Sequence, residues 1–343
     1  MGRVSARSLA LDRVGTLMGK LSSAGVSLQE YAATVVPALR RAVGFDGWCM
    51  DLADPDSSLP VAVAYGDAPL SDRLPQFWRF EFAGAAWSVA DHPRALTAAA
   101  RRDAVGARRF AELLQPGGVA DELRCWFAID GAKWGSLGLF RSESGQPFTE
   151  ADGDAVTSVL LPFATGARRA WVTAAPLTGA EEAAEPGTLL FGPNGALISQ
   201  TLAARYWLAQ LDASYSMTLA MLAVLETMPA ASLRTRTVGG TWLRMSAGRL
   251  APPAGEATVA ITIQPATPAE ITPLLLHAYG LTPRQRAVAR LVMAGQSSQQ
   301  IAASLHLSLH TVNDHVRAVA DKTGVRSRGQ LAAVLAGMSR QSA

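Results

Sequence analysis

Residues 281–333 read LTPRQRAVARLVMAGQSSQQIAASLHLSLHTVNDHVRAVADKTGVRSRGQLAA, and their punctuation decides the architecture of the C-terminal unit. Thr282, with Pro283 behind it and Gln285 three residues on, is a capping box with the proline that a first helical turn tolerates. Val288, Leu291 and Val292 supply an apolar face, and Gly295 ends the run. Ser297-x-x-Gln300 opens a second, short helix carrying Ile301, Ala302 and Leu305. Ser308 caps a third, whose stripe of Val312, Val316 and Val319 recurs at i, i+4 and i+7 before Gly324. Ser327-x-x-Gln330 opens a fourth with Leu331, Val334 and Leu335. Four short helices with a tight turn between the second and third make a helix-turn-helix bundle.

The other face of the third helix presents His310, Asn313, Asp314 and Arg317 at i, i+3, i+4 and i+7. Arginine pairs bidentately with guanine, asparagine with adenine, and aspartate accepts from cytosine N4. Ser308, Thr311 and His315 are short or polar enough to reach phosphates beside them, and a helix N-terminus favours anions. Lys322, Arg326 and Arg328 complete the candidate DNA-binding set.

Charge agrees with this reading. The chain has 343 residues and a net charge of only +3. Residues 281–343 hold eight basic and two acidic residues, a net of +6, so the remainder is −3. A basic block on a mildly acidic body points to an anionic partner. The two cysteines, Cys49 and Cys125, lack metal-ligand spacing and cannot form a disulfide framework. The longest apolar run, about 217–225, is far short of the ~20 residues that span a bilayer. These features lead us to expect a cytoplasmic, nucleoid-associated protein with no membrane, metal or evident cofactor.

The stretch 281–333 resembles the LuxR-type helix-turn-helix domain of bacterial transcription regulators. The matching residues include Leu281-Thr282-Pro283-Arg284, Ile301-Ala302, Leu307-Ser308, Thr311-Val312, His315-Val316 and Lys322-Thr323-Gly324-Val325. The resemblance implies a recognition helix within Ser308–Asp321, a two-fold-related DNA site, dimerisation through the last helix, and RNA polymerase as a further partner. This chain departs from the family's pattern in carrying Gln285 and Gln300 where glutamate is common. It also has His306 at a turn position usually held by glycine, and His310 and Asp314 where basic residues are common.

Two stretches read as linkers: 174–187, small and acidic, and 265–273, PATPAEITP, with three prolines. They divide the chain into 1–173, 188–264 and 274–343. In the first unit, Ser27-x-x-Glu30 caps a helix, and short apolar runs at 48–52, 61–65, 125–129 and 134–140 alternate as strands. A hairpin turn at 130–133 and a Thr149-capped helix with an acidic first turn follow. Together these make an α+β domain. The VGFDG motif (43–47) and WGSLGLFRSESGQPFTEAD (134–152) resemble a GAF domain, which implies a ligand sensor. The second unit opens on an Asn194-Gly195 turn between apolar runs, followed by helices and three strands, and resembles a small PAS-type α+β domain; a dimerisation or linker module is the alternative. The fold class is thus multidomain: GAF-like, PAS-like and an all-α LuxR-type bundle.

Trp78, Phe80, Trp87, Trp126 and Trp134, with Phe82, Phe110 and Phe127, are candidates to line a cavity, or else ordinary core. Arg101-Arg102 and Arg108-Arg109 read as solvated. No paired nucleophile and base, phosphate loop or phospho-receiver pattern is present, so a non-enzymatic regulator is expected. Its input is either a small molecule or a protein partner; an enzyme with a DNA-binding appendage is the remote alternative.

Overall fold

Helix starts in this chain are set by hydroxyl side chains. Ser27, Thr149, Thr201, Thr282, Ser297, Ser308 and Ser327 all have extended backbone and accept a hydrogen bond from an N–H of the first helical turn. The computed structural model describes residues 6–21, 26–67, 70–82, 104–129, 131–142, 146–174, 185–212, 214–250 and 258–337.

The first unit comprises α1 (Ala6–Leu21), α2 (Leu28–Arg40), β1 (Gly47–Ala53), β2 (Pro60–Gly66), α3 (Leu74–Phe82), α4 (Ala104–Arg109), β3 (Val119–Ile129), β4 (Ala132–Ser142) and α5 (Glu150–Thr173). Its sheet is antiparallel in the order β2-β1-β4-β3. Strict alternation of burial along β3 buries Leu123, Cys125 and Phe127 on one face. On that side α5 packs against β3, and α1, α2 and α5 pack against one another. Tyr31 of α2 lies edge-on to Phe163 of α5, 5.7 Å between centroids, and donates its hydroxyl to the Phe163 carbonyl. The close approach depends on Gly166, where a Cβ would lie 2.2 Å from the Tyr31 hydroxyl.

The second unit comprises β5 (Gly187–Phe191), β6 (Leu197–Gln200), α6 (Leu202–Ala209), α7 (Ser214–Val224), β7 (Ala230–Arg236), β8 (Trp242–Leu250) and β9 (Thr258–Pro265). Its sheet is also antiparallel, in the order β6-β5-β9-β8-β7. Helix α7 holds most of the apolar run at 217–225, and it packs against α3 of the first unit.

The proline-rich stretch 265–273 differs from its reading as a linker: it is the start of α8 (Pro268–Ala278). Pro268 occupies the first helical turn, where its missing N–H costs nothing, and Glu270 accepts from the Thr267 N–H at 2.8 Å and hydroxyl at 2.9 Å. Residue 274 therefore lies within a helix. Beyond it come α9 (Pro283–Met293), α10 (Ser298–Leu305), α11 (Leu309–Thr323) and α12 (Arg328–Leu335), the four helices expected.

Contacts tie the units together. Trp171 of α5 stands edge-on to Trp242 of β8 at 5.4 Å. Arg234 of β7 binds Asp54 (2.5–2.8 Å) and Asp56 (2.6 Å) of the β1–β2 turn, and donates to the Glu270 carbonyl of α8 at 3.0 Å. The Thr272 hydroxyl of α8 donates to the Leu335 carbonyl of α12 at 2.9 Å. No helix among the described residues is long and apolar enough to cross a membrane.

Candidate nucleic-acid interface and cavities

The bundle α9–α12 is assembled by its caps. Gln285 Oε1 accepts from the Thr282 N–H at 3.0 Å and from Lys322 Nζ at 2.9 Å, so the glutamine standing where the family commonly has glutamate keeps one charged donor. Gln300 Oε1 accepts from the Ser297 N–H at 2.7 Å, a neutral cap as expected. The last cap differs from the box read in sequence: Gln330 Oε1 takes the Arg326 N–H at 3.0 Å, not that of Ser327. His306 adopts the left-handed conformation of the missing glycine, φ 53° and ψ 49°, and closes α10.

The turn at Leu305–Ser308 sets α11 with Val312 and Val319 buried and Val316 partly buried. His310, Asn313, Asp314 and Arg317 are exposed together on the opposite face. His310 Nε2 lies 3.5 Å from Asp314 Oδ2, so protonated His310 offsets the charge of that acid. Ser308 is exposed and caps the Thr311 N–H at 3.0 Å, its hydroxyl 2.8 Å from that of Thr311, while Thr311 and His315 are half-buried at the edge of the face.

The outlying cations divide into two groups. Arg290, Arg317 and Arg326 have no side-chain partner among the described residues. Lys322 and Arg328 are half-buried and bonded within the bundle: Lys322 Nζ donates to the Gly280 carbonyl at 2.7 Å as well as to Gln285, and Arg328 donates to the Gln296 carbonyl and the Ser298 hydroxyl. Sequence reasoning passed over Leu309. It is 43% exposed on the first turn of α11, beside the polar face, and an apolar group there suits a thymine methyl. Its signal is an apolar residue lying off the Val312–Val316–Val319 stripe.

In the first unit, strand register creates a polar face. Cys49 and Asp51 of β1 stand opposite Tyr65 and Val63 of β2, and Asp51 opposite Ser136 of β4. Helix α3 covers this face and leaves a cavity of about 190 Å³, lined among others by Cys49, Asp51, Tyr65, Phe77, Trp78 and Ser216 of α7. The Ser136 hydroxyl donates to Asp51. Burial pushes the Asp51 carboxyl above the usual range, against the pull of Lys133 and Ser136. Burial also pushes Lys133 down to about 8, opposed by Asp51 and Glu81. Both thiols are raised by burial, which keeps Cys49 and Cys125 un-ionised.

Of the aromatic candidates, Trp78 lines this cavity, and its indole N–H has no hydrogen-bond partner among the described residues although the residue is 4% exposed. Trp134 does not line it. It is core, with the Arg168 guanidinium of α5 4.8 Å over its ring on the helical side of the sheet. Trp126 is half-buried beneath Arg124 at 5.2 Å, and Phe80 and Phe82 pack partly buried against the core. Trp87, His92 and Arg101-Arg102 lie outside the described residues.

Arg109 corrects a solvated reading: it is 5% exposed, while its neighbour Arg108 pairs with Glu112 at the surface. Arg109 binds Glu81 at 2.9 Å and Glu122 at 2.9 and 3.2 Å, and Arg124 binds Glu81 at 2.6 Å. Sequence carried no signal for this network, because its members come from α3, α4 and β3.

Residues 280–335 match the family model described as bacterial regulatory proteins, luxR family, and this unit is a luxR-family helix-turn-helix domain. No curated protein matches the chain. Among solved structures, the phage VqmA–DPO complex is similar at 16% identity and TM-score 0.22, covering 46% of this chain and 87% of that one. A Vibrio cholerae VqmA dimer without target DNA gives 16% and 0.21, with 44% and 81% covered. Escherichia coli SdiA gives 10% and 0.33, with 95% and 97% covered. At these scores the structural likenesses carry no argument about arrangement or activity.

Proposed function

We propose that the chain is a non-enzymatic, cytoplasmic transcription regulator that binds a two-fold-related duplex DNA site as a dimer, with α11 as recognition helix, and meets RNA polymerase there. The observation that carries this reading is the joint exposure of His310, Asn313, Asp314 and Arg317 on one face of α11, inside the luxR-family domain. Arg317 and Asn313 read base edges, Arg290 and Arg326 take phosphates, and Lys322 and Arg328 hold the bundle. The last helix, α12, serves dimerisation.

Residues 1–173 are read as a GAF-like unit and 188–264 as a PAS-like unit that supply the input. An antiparallel sheet flanked by helices in each, and the cavity over the polar face of the first, support this. A small molecule held at Asp51 and Trp78 is the first reading of that input. A protein partner is the second, favoured by the uncharged, exposed strand β6 at the edge of its sheet.

Selection from random duplex DNA tests the DNA reading. Full-length protein enriches an inverted repeat, and enrichment of no sequence overturns it. Native mass spectrometry tests the input: a retained small molecule supports the cavity, whereas an empty chain with a co-purifying protein supports the second reading.

A further inference from the structure

A second cavity, of about 670 Å³, lies where the two N-terminal units meet. Its size falls within the range of small-molecule sites. Leu189 and Phe191 of β5 and Leu219 and Leu222 of α7 line it, and Arg79 of α3 reaches it from the first unit. Two of its apolar lining residues are left open to solvent, Leu197 at 47% and Tyr215 at 61% exposure.

Its charged groups are specific in arrangement. Arg249 donates Nε (3.0 Å) and Nη2 (2.5 Å) to the Leu225 carbonyl, which fixes the guanidinium plane and leaves Nη1 without a protein partner among the described residues. Arg79 Nε pairs with Glu226 Oε1 at 3.0 Å, and both side chains are more than half exposed. Such a solvent-screened pair is weak and readily exchanged for another anion. Arg79, Arg249 and Glu226 leave this wall one positive charge in excess. Both carboxylate and phosphate oxygens match guanidinium N–H donors, and the single excess charge with the apolar lining favours the singly charged carboxylate.

We propose that this cavity binds an amphipathic monocarboxylate, with its carboxylate on Arg249, its apolar body between α7 and β5, and Arg79 as the second cation. A body of roughly ten to twenty non-hydrogen atoms fits, judged against the ~150 Å³ cavity that holds benzene. The ligand competes with Glu226 for Arg79, so occupancy acts on the junction between the units. This site is separate from the Asp51–Trp78 cavity and stands whether or not that one binds a ligand.

The test is calorimetric titration of the full chain with octanoate and with octan-1-ol, each below its aggregation concentration. Octanoate binds one per chain and more tightly than the alcohol. Arg249→Gln, a change at an exposed position, weakens octanoate roughly ten- to a hundredfold, the range of a lost charged hydrogen bond, and leaves the alcohol unchanged. Leu219→Trp intrudes on the space between α7 and β5 and weakens both, with folding checked by thermal melting. Absence of octanoate binding, equal affinity for acid and alcohol, or unchanged octanoate affinity in Arg249→Gln each overturns the proposal. Unchanged affinity for both in folded Leu219→Trp does so as well.

Discussion

Arg317 and Lys322 lie five residues apart on α11, and their surroundings predict opposite consequences for removing them. The Arg317 side chain has no partner among the described residues, so Arg317→Ala changes folding stability by no more than about 0.5 kcal/mol, as at other solvated positions. If α11 is the recognition helix as proposed, it removes a bidentate base contact on DNA, about 1–3 kcal/mol, or roughly 5- to 150-fold in discrimination between selected and random duplex. Lys322 holds the Gly280 carbonyl at 2.7 Å and Gln285 Oε1 at 2.9 Å, and Gln285 is itself buried. Losing two charged hydrogen bonds from a half-buried ammonium, partly replaced by water, costs about 2–3 kcal/mol of stability. Urea unfolding and DNA titration over a salt series read both effects. Arg317→Ala keeps the unfolding midpoint and loses discrimination. Lys322→Ala lowers the midpoint and keeps discrimination and salt slope, whereas Arg326→Ala lowers the slope by about 0.9. Intact discrimination in Arg317→Ala, or a slope reduced by one with unchanged stability in Lys322→Ala, refutes the division of α11 into reading and holding residues.

Gly166→Ala places a methyl against the Tyr31 ring and destabilises by about 1–3 kcal/mol, whereas Gly15→Ala, with open space around its Cβ in α1, stabilises by about 0.5–1 kcal/mol; thermal melts compare the two. His306→Gly relieves a left-handed backbone and raises stability by about 0.5–1 kcal/mol in the same assay, with DNA affinity unchanged. Lys133 supplies a pH signature. Its folded pKa of about 8 lies below the ordinary value of 10.5, so between those values the unfolded chain holds a proton that the folded chain lacks, and stability from this group rises with pH. Urea midpoints of the natural chain minus those of Lys133→Met therefore climb from pH 8 to 10.5, and a flat difference counts against a buried ammonium.

The C-terminal bundle was legible because its determinants are local. Caps at Thr282, Ser297 and Ser308 and the stripe of Val312 and Val319 act within one or two turns, and the same spacing that buries the valines exposes Asn313 and Arg317. The turn at His306 was legible only through the resemblance, which puts glycine there; the left-handed conformation it adopts comes from the structure. Composition misled at 265–273: Pro265 ends β9, Pro268 takes the first turn of α8, where a helix accepts it and Glu270 closes the cap, and the helix runs on through Pro273 in spite of the lost N–H.

Sequence by itself therefore determined the helix starts, the exposed polar face of α11 and the basic block that carries it. Only the tertiary structure decided which cations are free. Lys322 and Arg317 look alike in a string of letters, yet one meets the Gly280 carbonyl 42 residues away and the other meets solvent. Arg109 became a core residue and Arg108 a surface one through contacts with α3 and β3. Both cavities arose where α3 and α7 meet two different sheets. Burial and pairing of that kind depend on elements far apart in the chain, and no local periodicity encodes them.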